Sequence, residues 1–141
     1  MDPRDFLDIA KKLSQGGTAA EYRTAISRAY YATYHVGADF LKGIGCTISK
    51  GPTGHEEVIR NLSHCGDLEL AKVGSQLTDL RSQRNNADYR LDNTKYDKQR
   101  ASQAVTMQSE RMIQALDRCG SGSRRDEIAR AVKEYSRKIK P

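Results

Sequence analysis

The sequence predicts an all-α protein, an up-down antiparallel helical bundle with an additional basic helix at its C-terminal end. Apolar residues recur at helical spacing along most of the chain, and no segment alternates convincingly with the two-residue period of a strand. Capping patterns precede several of the periodic segments. The connections between the long segments are mostly short, which favours antiparallel neighbours packed in a bundle.

Six helices are expected, each from a start signal and an apolar face. The pair Asp2-Pro3 starts the first helix. Capping boxes start three others: TAAE at 18–21, TGHE at 53–56 and SRRD at 123–126. The remaining two helices start without a box where the apolar periodicity begins, at Leu68 and Lys95. The first two apolar faces comprise Phe6, Ile9, Ala10 and Leu13, then Tyr22, Ile26, Ala29, Thr33, Val36 and Phe40. The Gly/Ser stretch at 120–123 is expected to be a hinge that divides the chain into a bundle of residues 1–120 and a basic helix of residues 121–141.

The composition indicates one domain outside a membrane. The chain has 141 residues, of which 30% are charged and 37% hydrophobic, and no apolar run approaches the roughly 20 residues of a membrane span. The start MDPRDFLDIAKKL is acidic and periodic, so no signal peptide is expected. Three scattered cysteines suit a reducing compartment, and the expected location is therefore cytoplasmic.

The last helix carries most of the positive charge. The net charge is +6, and residues 121–141 contribute +4 of it, since seven cations stand there against three acids. The cations are Arg124, Arg125, Arg130, Lys133, Arg137, Lys138 and Lys140. Such a face favours nucleic acid or an acidic partner, and Arg124, Arg125, Arg130, Lys133 and Arg137 are the expected nucleic-acid contacts. The alternatives are a solvated helix face and a helical DNA-binding protein, although no helix-turn-helix pattern supports the latter.

The patterns for metal, phosphate-loop and nucleophile chemistry are absent. The segments GIG and GSGSRR lack the strand context and the lysine of a phosphate-binding loop. His64 and Cys65 are adjacent and point about 100° apart on a helix, which disfavours a zinc site. A Gly-x-Ser-x-Gly motif does not occur. We therefore expect no metal and no cofactor.

The fourth helix places an arginine where an apolar residue is due. The apolar line Leu70, Val73, Leu77 and Leu80 continues at helical spacing to Arg84 and Ala87. One interpretation is a buried ion pair between Arg84 and Asp88, four residues apart. The other is that the line becomes a cleft between two subunits, in which the arginine has a function.

The second helix carries a second, polar and aromatic line beside its apolar face. It comprises Thr24, Arg28, Tyr31, His35 and Asp39. Tyr31 and His35 could simply pack between helices with satisfied hydrogen bonds. If the line faces Arg81, Arg84, Asn85 and Tyr89 of the fourth helix, it forms a functional site.

Three separated blocks resemble the HEPN domain family. They are SRAYYATYHVGADFLKGIG at 27–45, HEEVI at 55–59 and LTDLRSQRNNADY at 77–89, in the order and spacing of that family. The resemblance is closest to small single-domain HEPN proteins encoded beside nucleotidyltransferases, and it covers about residues 5–118. It implies a helical bundle that dimerises and, in active members, cleaves RNA without metal at a site composed across the dimer.

The resemblance also implies roles for individual residues. Arg84 matches the motif arginine and Asn85 its polar neighbour, whereas Tyr89 stands where active members have a histidine. Tyrosine, with a pKa near 10, is a poor base, but it could stack on a base or be adenylylated by a nucleotidyltransferase-type antitoxin. His35 is expected to replace the missing histidine, with Arg28, Tyr31, Arg81 and Asp88 in support. His55 is expected to be a loop or packing residue, and His64 a partner of its helix's C-terminal dipole.

The expected function is accordingly that of a homodimeric toxin or defence protein acting on RNA, a metal-independent endoribonuclease. The rival is a catalytically inactive HEPN module that binds RNA or a partner protein such as a nucleotidyltransferase. Arg84 and Asn85 favour the enzyme, and the absent motif histidine favours the binding module.

Overall fold

Helices make up the fold, which confirms the all-α prediction. The structure is a computed structural model that describes residues 1–139, so Lys140 of the predicted basic face lies outside it. The elements are α1 (Arg4–Ser14), α2 (Ala19–Gly43), α3 (Pro52–Ser63), α4 (Leu68–Tyr89), a 3₁₀ turn (Thr94–Asp97), α5 (Gln99–Arg118) and α6 (Gly122–Ile139). None of the helices within residues 1–139 has both the length and the apolar character that crossing a membrane requires.

Helix α2 is the centre of the molecule and packs against α1, α3, α4 and α5. It can serve all four because small residues let its neighbours approach closely; Ala25, Ala29 and Ala32 are completely buried. Larger side chains fill the space between the helices, and Ile26, Leu41, Leu62, Leu70, Leu77, Leu80, Met112 and Leu116 are among the fully buried ones. Burial of each such side chain stabilises the fold by roughly 1.5–3 kcal/mol.

The predicted caps are confirmed for α2 but not for α3 and α6. Thr18 Oγ1 accepts a hydrogen bond from the Glu21 amide at 3.2 Å, and the Glu21 carboxylate accepts one from the Gly17 amide at 3.1 Å. The prediction that the TGHE box caps α3 is wrong, because α3 already starts at Pro52 and Gly51 occupies its N-cap. Ser123 likewise lies inside α6 and does not precede it.

Two other expectations need correction. Ile9 was expected on the buried face of α1 but is 49% exposed, since α1 turns Leu7, Ala10 and Ser14 inward. The fifth helix begins at Gln99 and not at Lys95, because the chain first makes the 3₁₀ turn.

Helix α6 lies against the bundle. Its Ile128 and Val132 are each 2% exposed and belong to the same hydrophobic core as the other helices. The Tyr135 ring stacks on His64 with 4.4 Å between centroids. The Gly/Ser stretch before α6 therefore leads into a helix held by apolar and aromatic contacts.

Candidate functional site

Arg84 lies on the buried line of α4, as its spacing predicts. It is 9% exposed and faces α2. Its guanidinium carbon Cζ is 5.3 Å from the ring centroid of Tyr30 and 5.3 Å from that of Tyr31. At this distance a ring face attracts a cation. Helix α2 thus gives the arginine an aromatic surface without a counter-charge.

The buried guanidinium of Arg84 is poorly paired. Its Nε atom is buried and has no hydrogen-bond acceptor among residues 1–139. Its Nη1 atom is 3.8 Å from Asp88 Oδ2, too far for a hydrogen bond, and Oδ2 already accepts one from Ser27 Oγ at 3.1 Å. The predicted pair with Asp88 is therefore present only as a long ion pair. A buried donor without an acceptor is energetically costly.

The polar and aromatic line of α2 continues from this arginine to the surface. His35 is exposed, and its ring centroid is 5.0 Å from that of Tyr34 and 6.2 Å from that of Tyr31. Arg28 lies over the rings of Tyr31 and Phe6, with Cζ at 5.0 and 5.2 Å from their centroids. Arg28, Tyr31 and His35 of the predicted line therefore lie in one patch of rings and cations, whereas no contact within residues 1–139 places Thr24 or Asp39 in it.

His55 belongs to the same patch, which the sequence reasoning missed. Its ring stacks on Tyr34 with 4.0 Å between centroids, and its Nδ1 atom is hydrogen-bonded to the Tyr30 hydroxyl. Burial, followed by the positive charges of Arg81 and Arg84, lowers the pKa of His55 to about 4. The imidazole is therefore neutral near pH 7. His55 is a packing residue, as expected, and the residues it packs against are those of the candidate site.

These side chains form what we call the Arg/His cluster: Tyr30, Tyr31, Tyr34, His35, His55, Arg81 and Arg84. Burial raises the pKa of Tyr30 and of Tyr34, so both phenols keep their protons. The cluster combines an exposed imidazole, a half-buried neutral imidazole and two cations. An arrangement of this kind can bind an anion and transfer protons.

Asn85 and Tyr89 lie elsewhere, on the outer face of α4. They line a groove of about 520 Å³ together with Thr78, Arg81, Ser82, Asn86 and Arg90. Tyr89 is 72% exposed. Successive residues of a helix point about 100° apart, so one chain does not bring Asn85 and Tyr89 to Arg84 and His35. Arg81, half-buried, borders both the groove and the Arg/His cluster.

The five predicted nucleic-acid contacts of α6 divide into two groups. Arg124 donates hydrogen bonds to Asp67 at 2.8 and 3.1 Å and to Glu69 at 3.1 Å, and Arg125 donates one to the Gly43 carbonyl. These two arginines hold α6 against the bundle. The other three, Arg130, Lys133 and Arg137, are exposed, and we call them the α6 cations.

Comparison with models of protein families, with curated proteins and with solved structures found no match to this chain. The HEPN resemblance thus rests on the three sequence blocks alone, and the up-down bundle and the homodimer stay predictions.

Proposed function

We propose that this protein is a HEPN-type toxin or defence protein that cuts RNA without a metal ion, as a homodimer. The observation that carries the proposal is Arg84. Its guanidinium lies over two adjacent aromatic rings, nearly buried, with a donor that no described residue satisfies. A phosphate is the anion that fits best, because the planar fork of arginine matches two phosphate oxygens.

The groups around Arg84 suit RNA cleavage. The reaction needs a base for the 2′-OH, an acid for the leaving oxygen and a cation for the crowded phosphate. Arg84 supplies the cation. His35, exposed at the edge of the cluster, supplies proton transfer, since histidine is the side chain that most often acts as general acid or base.

The outer face of α4 supports the dimer part of the proposal. Asn85 and Tyr89 can reach a phosphate bound at Arg84 only from a second copy of the chain. Tyr89 and Leu91 are 72% and 70% exposed at the end of α4, where a second copy would cover them. In that dimer Asn85 of each copy orients the phosphate held by the other. In the single subunit, before a second copy covers it, Tyr89 is accessible to an adenylylating nucleotidyltransferase partner.

The test of the proposal is single-turnover cleavage of a labelled random-sequence RNA pool with EDTA present. Arg84→Met should lower the rate by about 10²–10³, the usual effect of removing one preorganised charge stabiliser. The variant should stay folded, because an apolar residue of similar volume often replaces a buried charge without loss of stability. Arg111→Ala, an exposed arginine of α5, is the matched control and should cleave normally.

Two further variants separate the roles on α4. Tyr89→His restores the family motif and should raise the rate. Tyr89→Phe should change cleavage little but abolish adenylylation. Cleavage that needs an added metal would contradict the proposal, and so would sedimentation that reports a monomer at micromolar concentration together with active cleavage.

The second candidate function is an inactive RNA-binding module. The groove beside Tyr89 favours it, because an exposed phenol between Arg81 and Arg90 can stack on a base while the arginines contact phosphates. Base stacking contributes about 1–3 kcal/mol per base. Two results together would establish this function instead. Cleavage would stay at background for wild type, Arg84→Met and Tyr89→His. The protein would still bind RNA, and Tyr89→Ala would weaken that binding.

A further inference from the structure

We propose that His55 is the base that takes the 2′-OH proton in this site, while His35 is the acid that protonates the leaving oxygen. This inference rests on the proposed function, and it assigns a catalytic residue from outside the family's motif. The motif histidine is absent on α4, and α3 brings an imidazole to the inner face of α4, beside Arg84.

The packing of His55 carries the inference. Tyr34 lies between the two imidazoles, with 4.0 Å from its ring centroid to that of His55 and 5.0 Å to that of His35. Tyr30 joins His55 to the arginine, since its hydroxyl bonds His55 Nδ1 and its ring faces Arg84. One tyrosine ring therefore separates each imidazole from the guanidinium that would hold the phosphate: Tyr30 for His55 and Tyr31 for His35.

The bond to Tyr30 occupies Nδ1 and leaves Nε2 as the nitrogen that can react, and the base role requires the tautomer in which Nδ1–H is the donor. When Nδ1–H donates to the Tyr30 oxygen, Nε2 carries a lone pair and can accept a proton, just as a carboxylate fixes the tautomer of other catalytic histidines. The Tyr30 phenol stays neutral because burial raises its pKa, so it orients the ring without giving it a negative partner.

The step balances without metal or redox partner. The 2′-OH gives its proton to His55 Nε2, and the 2′-oxygen attacks the phosphorus. The bond from phosphorus to the 5′-oxygen breaks, and the 5′-oxygen takes a proton from protonated His35. The products are a 2′,3′-cyclic phosphate and a 5′-hydroxyl. Exchange with water then restores both imidazoles.

The charges around His55 make its basicity depend on bound RNA. The groups that face it are Tyr30, Tyr31, Tyr34 and His35 of α2 and Arg81 and Arg84 of α4. The two arginines oppose a proton on His55. A phosphate bound between them offsets their charge, which moves the pKa of His55 up from about 4.

The experiment combines a titration with kinetics. NMR would follow the imidazole shifts of His55 and His64 against pH, alone and with a 2′-O-methyl RNA pool that cannot be cleaved. The pKa of His55 should rise with RNA in wild type and stay unchanged in Arg84→Met. The titration of His64, which stacks on Tyr135 at the opposite end of α3 from His55, should not change with RNA.

The kinetic arm uses His55→Phe, which keeps an aromatic ring against Tyr34. Its single-turnover rate should fall by about 10²–10⁴, the usual share of a general base, with affinity for the 2′-O-methyl pool unchanged. The matched control is His64→Phe, with rate and affinity like wild type.

The outcomes separate the two proposals. The base role of His55 would be overturned if its pKa did not change when RNA binds, or if His55→Phe cleaved normally. Neither result would contradict the proposed ribonuclease function. Wild type that binds RNA but does not cleave it would overturn both. If His55→Phe does not fold, the titration on wild type still decides the assignment.

Discussion

Arg23 on α2 is expected to be a main determinant of stability, through the end of α4. Its side chain is 9% exposed. Its three short hydrogen bonds go to Asp97 Oδ1 at 2.8 Å, to the Ala87 carbonyl at 2.9 Å and to the Asn93 carbonyl at 2.7 Å. Longer contacts reach the carbonyls of Asn86, Arg90 and Leu91. One guanidinium thus satisfies carbonyls at the C-terminal turn of α4 and in the loop behind it.

The magnitude follows from the three short bonds. Hydrogen bonds to a charged group contribute more than neutral ones, and about 1–1.5 kcal/mol each is a cautious value for donors in this setting. Arg23→Ala should therefore lower the free energy of unfolding by about 3–4 kcal/mol, a large share of the roughly 5–15 kcal/mol of a typical domain. Arg23→Lys should recover part of the loss, because one ammonium cannot reproduce the fork.

The assay is urea unfolding followed by far-UV circular dichroism at one fixed protein concentration. With a slope of about 2 kcal/mol per molar urea, the Arg23→Ala midpoint should fall by about 1.5–2 M. Arg111→Ala, on the exposed side of α5, should stay within about 0.5 kcal/mol of wild type. A midpoint for Arg23→Ala equal to that of Arg111→Ala would refute the reasoning.

Three other predictions concern close packing, the docking of α6 and its charge. Gly74→Ala should destabilise the protein by about 1–3 kcal/mol in thermal unfolding, because the new Cβ would lie 2.5 Å from Ser63 Oγ and 3.0 Å from Ser63 N. The control Gly17→Ala should not destabilise it, because the space around Gly17 is open. The Arg124 hydrogen bond holds the pKa of Asp67 below its usual 3.8, so the contribution of this pair exists at neutral pH and disappears as pH falls through that lowered value. Urea midpoints of wild type and Arg124→Ala should therefore differ at neutral pH and converge in acid, below the lowered pKa of Asp67. Replacing the three α6 cations by Gln should reduce the salt dependence of RNA affinity by about 0.7 log units per lost phosphate contact, measured by fluorescence anisotropy, and an unchanged slope would identify α6 as a solvated face.

The sequence predicts elements well where one local signal is decisive. Helix α4 has the predicted bounds Leu68–Tyr89, because Asp67 caps it, accepting from the Leu70 amide at 3.0 Å, and its buried line continues at helical spacing through Arg84 to Ala87. The TGHE box failed because two start signals compete there, and proline at the first position prevailed over threonine. Ile9 shows a different limit. Its spacing fits a buried face, but which side of α1 turns inward depends on α2 and α5, which the local pattern does not contain.

The candidate site was predictable only along each helix. Periodicity places Arg84 on a buried line and His35 on a second line of α2, and the structure has both. Periodicity contains no information on which residue of α3 meets α2, so the sequence predicts only a loop or packing role for His55. The available signal was indirect: Tyr30 and Tyr34, four residues apart, are buried phenols, and a buried hydroxyl usually has a hydrogen-bond partner. Arg23 was missed for a related reason, since a charged residue on a buried face does not stand out in an apolar pattern.

Among residues 1–139 two arginines are buried, Arg23 and Arg84, and the fold satisfies them very differently. Arg23 and Arg84 are 8% and 9% exposed, so both have lost nearly all contact with water. The fold gives Arg23 a carboxylate and several carbonyls, so this chain can satisfy a buried guanidinium completely. It gives Arg84 two aromatic rings, one distant carboxylate and no acceptor for Nε. An arginine that served only the packing of α2 against α4 could be an apolar residue at no cost in stability. The unsatisfied Nε donor is therefore an energetic cost that no described residue offsets. Under the proposed function, a bound phosphate would offset it.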